Sequence, residues 1–158
     1  MRLKEIKAAV LKKGWAGRTL SRQATAERLC PLITAHMALN HSYNSAASHH
    51  QSPEVRSGIA RLQRTARTDV GKLMEVVFSC GAVPPNGTDM EPERFLLPDE
   101  GMLKSLQDRE RAFQASLREE QALNHQIHTE AVISHLLTSS SDRLDHLRSS
   151  IREEASTR

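Results

Sequence analysis

A bundle of four α-helices is the fold predicted by the sequence, and three observations predict it. Apolar residues recur at helical spacing along four long segments. Aromatic residues are only 3% of the chain, so the core must be built from Leu, Ile, Val, Ala and Met. Such side chains interdigitate between helices, whereas sheets are enriched in β-branched and aromatic ones. At 158 residues, 38% hydrophobic and 26% charged, the chain is one globular domain that can bury a core without staples.

The first segment stands apart from the bundle. Residues 3–13 predict a short amphipathic helix with Leu3, Ile6, Val10 and Leu11 on one side, broken by Gly14-Trp15-Ala16-Gly17. Residues 1–22 hold seven basic side chains against Glu5 alone, while the whole chain carries only +3, so the body is mildly acidic. We therefore divide the chain into a basic arm, 1–17, and a bundle, 18–158. Lys4, Lys7, Lys12, Lys13 and Trp15 are the arm's candidate partner contacts, and docking to this bundle or a neighbouring one is favoured over nucleic acid or a membrane surface.

The first bundle helix is expected over 20–49, capped by Thr19 or Ser21, with Leu29, Ile33, Met37 and Ala47 on its apolar face. Pro31 implies either a later start or a kink. Ser52-Pro53-Glu54 opens the second helix, with Ser as N-cap and Pro at the first position. It runs to about Ser79 and buries Val55, Ile59, Leu62, Ala66, Val70, Leu73 and Val77.

Gly81 closes that helix, and residues 82–98, with four prolines, form an irregular link. Its 17 residues reach ~55 Å when extended, against ~45 Å for a 30-residue helix. The link can therefore run the length of the bundle and set the third helix parallel to the second. Pro98-Asp99-Glu100 is expected to open the third helix, whose inward stripe is Leu103, Leu106, Glu110, Phe113 and Leu117. A turn near Asn124-His125-Gln126 precedes the fourth, which runs to about Glu154. It turns Thr129, Val132, Ile133, Leu136, Leu137, Leu144, Leu147 and Ile151 inward, with a weak point at Thr138–Asp142. The rival partition is one very long helix to residue 138 followed by a short terminal one.

With these segments placed, residues 26–152 resemble the small bacterial four-helix-bundle proteins of the ferritin-like superfamily that have no assigned function. The resemblance rests on Tyr43-Asn44-Ser45-Ala46-Ala47, Ser52-Pro53-Glu54-Val55-Arg56, Gly81-Ala82-Val83-Pro84 and Arg109-Glu110-Arg111-Ala112. It implies a ferritin-like bundle with a single long crossover between the second and third helices. The superfamily's di-iron site takes one Glu from each of two helices and Glu-x-x-His from each of the others, and no Glu-x-x-His occurs in this sequence. Arg64 and Arg67 are expected to repel cations from the second helix. What remains is His36 and Tyr43, seven apart, resembling the family's Glu and Tyr with His in place of Glu, together with Asp69 and Glu110.

These four residues have two readings: a non-standard site for a single transition-metal ion or small ligand, or an inert polar layer that fixes register. The second is favoured, and with it no cofactor. Cys30 and Cys80 match no metal or redox spacing. The eight histidines include His128, His135 and His146, expected on an exposed face. No hydrolase or phosphate-loop pattern is present, nor a signal core or a run of ~20 apolar residues. The expectation is a cytoplasmic, self-associating structural or interaction protein rather than an enzyme. A metal-binding or oxidative-stress bundle is the alternative, and an adaptor using its arm on nucleic acid the weaker one.

Overall fold

The computed structural model describes residues 18–158. Four α-helices fill this part of the chain: α1 (Arg22–His49), α2 (Pro53–Ser79), α3 (Met102–Gln121) and α4 (Ile127–Ser156). One 3-10 turn, Pro92–Phe95, lies in the link between α2 and α3, and there is no strand among the described residues. The predicted arm helix falls outside the described residues.

Local chemistry sets the helix ends. Ser21 and Ser52 cap α1 and α2, their hydroxyls accepting from Ala24 N at 3.1 Å and Val55 N at 3.3 Å. α2 ends in a left-handed Gly81, φ 82°. Gly81 N donates to Phe78 O and Ala82 N to Val77 O, the paired bonds of a Schellman stop. The expected start of α3 needs correction. Gly101, at φ 69°, turns the chain, α3 begins at Met102, and exposed Asp99 and Glu100 lie ahead of the helix instead of in its first turn. Pro31 neither starts nor ends a helix. α1 runs through it on an exposed face, where water can serve the carbonyl that loses its donor.

The fourth segment is one continuous helix through Thr138–Asp142. Hydroxyls there are engaged: Thr138 donates back to Ser134 O at 3.2 Å, Ser140 to Glu110 at 2.6 Å, and Ser139 accepts from Arg143 at 2.9 Å. Ser139 and Ser140 are thus engaged by side chains rather than by the helical ladder, and Thr138 only shares a carbonyl of its own helix. The turn near residue 125 falls where expected, between Gln121 and Ile127.

Side-chain pairings give the topology. Arg28 near the start of α1 meets Glu120 at the end of α3, and Ser42 near the end of α1 meets Arg109 in α3, so α1 and α3 are antiparallel. Asp69 pairs with Arg143 while Lys72 pairs with His135, so α2 and α4 are antiparallel too. Short turns make α1–α2 and α3–α4 antiparallel, which leaves α2 and α3 parallel. The link between those two therefore runs along the bundle, as its length allowed. Leu97 N donates to Ser45 Oγ at 3.0 Å and Arg109 donates to Phe95 O at 2.8 Å, fastening the link to α1 and α3.

The core lies on the bundle axis. Leu29, Ile33, Leu73, Leu103, Leu106, Leu117, Leu136 and Leu147 are all at most 1% exposed, each worth roughly 2 kcal/mol of apolar burial. Met37, Ala47, Val55, Leu62, Val132, Leu137 and Ile151 pack only partly buried at its edge. No helix among the described residues is long and apolar enough to cross a membrane. Cys30 and Cys80 are free, half-buried thiols.

Candidate functional site

All four helices send a polar side chain to one level of the core: Tyr43 from α1, Asp69 from α2, Glu110 from α3, and Ser140 and Arg143 from α4. None of the five is more than 2% exposed. Helical spacing explains the contribution of α4. Ser140 and Arg143 follow Leu136 by four and seven residues, so they continue the inward stripe of Ile133 and Leu136.

Arg143 is the hub. Its Nε and Nη2 donate to Glu110 Oε2 and Oε1, both at 3.0 Å, as a two-pronged clamp. Its Nη1 donates to Asp69 Oδ2 at 2.8 Å and to Ser139 Oγ at 2.9 Å. Glu110 also accepts from Tyr43 Oη at 2.5 Å and from Ser140 Oγ at 2.6 Å. Each carboxylate oxygen of Glu110 thus takes two donors, which fills the roughly four lone-pair positions a carboxylate has.

The electrostatics follow from that geometry. Burial works against the Arg143 charge, but the charge and hydrogen bonds of Glu110 outweigh it and hold the guanidinium protonated, its pKa raised above the ordinary value. Burial, and then the negative charge of Glu110, push the Tyr43 phenol well above its usual pKa, so it stays a donor. On the surface side of Asp69, Lys72 donates to His135 Nε2 at 2.7 Å. That nitrogen also lies 3.6 Å from Asp69 Oδ1.

His36 lies beside this network without joining it. Its ring packs on Phe113 with centroids 4.3 Å apart, and both ring nitrogens are buried without a hydrogen-bond partner. Burial, followed by the positive charge of Arg143, lowers its pKa to about 4.

Of the four residues singled out from the sequence, Tyr43, Glu110 and Asp69 are brought together through Arg143, and His36 is their neighbour. The guanidinium occupies the space between the two carboxylates. Among the described residues, no three His, Cys, Asp or Glu side chains are grouped to hold a metal ion. Arg64 and Arg67, expected to repel cations, are exposed; the positive charge in the core comes from Arg143 instead. Lys4, Lys7, Lys12, Lys13 and Trp15 fall outside the described residues.

Two smaller polar clusters tie the ends. Arg28 clamps Glu120 through bonds of 3.0 and 2.9 Å, and His125 Nε2 meets the same carboxylate at 2.9 Å. Burial would raise Glu120, but the bonds from His125 and Arg28 outweigh it and leave its pKa lowered. At the other end His50 Nδ1 accepts from Ser52 N, so its Nε2 donates to Glu154 at 2.5 Å. His128, His135 and His146 are exposed, as their helical phase predicted.

Fold and site together define an all-helical protein whose centre is a closed ion-pair network. The chain matches no protein-family model, no curated protein and no solved structure.

Proposed function

We propose that this chain is a non-enzymatic structural or protein-interaction bundle of ferritin-like type, self-associating, in which Arg143 stands where the di-metal members of that superfamily hold their ions. One observation carries the reading: a single guanidinium bridges Asp69 and Glu110 while Tyr43 and Ser140 take the remaining acceptor sites of Glu110. A carboxylate so saturated has no lone pair to offer a metal. The parallel α2–α3 relationship and the long link support the ferritin-like type, since a single long crossover is that type's wiring. A buried, satisfied network suits a scaffold, because it admits only one helix pairing.

The alternative, a metal-binding or oxidative-stress bundle at His36, Tyr43, Asp69 and Glu110, is favoured by the two unpartnered nitrogens of His36. It requires Arg143 to leave, exposing two buried carboxylates to each other before any ion arrives. Elemental mass spectrometry on untagged protein, with its mass in solution, separates the two. The scaffold reading predicts iron, manganese and zinc far below one per chain, in particles heavier than one chain. Near-stoichiometric metal that disappears in Glu110→Gln would sink it, and a monomer would sink self-association.

A further inference from the structure

We infer a second site, remote from the ion-pair network: a cleft between α1, α2 and the link that binds a soft monovalent metal ion, Cu(I), through Met37, His41 and Met90. The cleft measures about 330 Å³, and these three residues line it together with Asn40, Arg67 and Gly87.

The sequence builds it from two pieces. Met37 and His41 are four apart on α1 and so share a face. Met90 is delivered by a tight turn: Asn86 Oδ1 accepts from Thr88 N and Oγ1, and Met90 N donates to Gly87 O. Gly87 sits at φ 72°, and a Cβ there would lie 2.9 Å from Met37 Sδ and 3.5 Å from Met90 Sδ. Both sulfurs therefore lie close against Gly87, and a side chain there would push Met37 aside.

The donor set selects the ion. Two thioethers and an imidazole are neutral and soft, which suits Cu(I) and offers little to hard divalent cations. No carboxylate lines the cleft, and exposed Arg67 adds a positive charge that penalises a divalent ion more than a monovalent one. His41 is free to ligate: its ring stacks on Phe95 with centroids 5.4 Å apart, and it makes no hydrogen bond among the described residues. The ion enters and leaves as Cu(I), so no electron is transferred.

The test is anaerobic competition for Cu(I) between the protein and the chelator bicinchoninate. Cys30→Ser/Cys80→Ser protein is used, because the two half-buried thiols would bind copper themselves. One Cu(I) per chain is expected, with at least a tenfold loss of affinity in Met37→Leu, Met90→Leu and His41→Phe. Met→Leu nearly conserves volume, so helix content by circular dichroism stays constant. Failure to draw copper from the chelator, or an affinity unchanged by both methionine substitutions, overturns the site. A second readout uses methyl-labelled methionine in the same Cys30→Ser/Cys80→Ser protein and one equivalent of Ag(I). The Met37 and Met90 signals should move; movement of Met74 or Met102 alone overturns the proposal.

Discussion

Arg143→Met is expected to destabilise the bundle by about 3–5 kcal/mol, the cost of stranding buried charges after one partner of an ion pair is removed. Asp69 and Glu110, both at most 2% exposed, would lose the guanidinium that pairs them, leaving Glu110 only neutral donors and Asp69 only the approach of His135 on its surface side. The loss comes from isolation rather than from any special strength of the pair. Replacing the whole network with apolar side chains of similar size is therefore expected to restore at least half of it. That variant combines Tyr43→Phe, Asp69→Leu, Glu110→Leu, Ser140→Ala and Arg143→Met, so that no fully buried hydroxyl is left orphaned; half-buried Ser139, which also loses Arg143, can turn to water. Urea unfolding followed by circular dichroism measures both. A loss below ~1 kcal/mol in the single variant, or a fivefold variant as unstable as the single one, would show that the network is not what holds this level of the core.

The second large effect is acid sensitivity centred on His36. Its folded pKa is about 4 against an ordinary 6.5, so between those values the unfolded chain binds a proton that the folded chain refuses. Stability is then complete above pH 6.5 and falls as pH drops toward 4, by about 3 kcal/mol in all. Arg143 on α4 opposes protonation, while Glu110 on α3 and Asp69 on α2 favour it, and burial exceeds all three. His36→Leu should flatten the stability profile across that window. It should cost little at pH 7.5, because it also removes two buried nitrogens that lack partners. An unchanged slope between pH 6.5 and 4 in His36→Leu would mean that other groups govern acid unfolding.

The helical architecture was legible because the stripes of α2 and α3 are nearly unbroken. Ile59, Ala66, Val70, Leu73 and Val77, and Leu103, Leu106, Phe113 and Leu117, are all buried as their spacing predicts. Tyr43 and Glu110 were also legible, as polar residues in inward phase, and Asp69 as the acidic end of the region that the resemblance set against a ligand position. Arg143 was not, although its position was. It falls on the stripe of Leu136 and Leu147, but an arginine in a serine-rich segment reads as surface, since buried arginine is rare without partners. Those partners lie 74 and 33 residues away in the chain, on α2 and α3, and only the fold brings them near. The start of α3 was misplaced for a local reason: Asp99 and Glu100 suit a first turn, yet the left-handed Gly101 decides where the helix begins.

The guanidinium of Arg143 is expected to occupy the centre of the core in solution as it does in the structure. The side-chain Nε–H signal of Arg143 in ¹⁵N-labelled protein, assigned by its absence in Arg143→Lys, reports this directly. A proton bonded to Glu110 and shielded from water should exchange slowly. Its signal should also stay in place when Fe(II), Mn(II) or Zn(II) is added in excess. A fast-exchanging proton, or a signal lost or displaced by one equivalent of metal together with the Glu110 carboxylate resonance, would place an ion where the ion pair is drawn and contradict the scaffold reading.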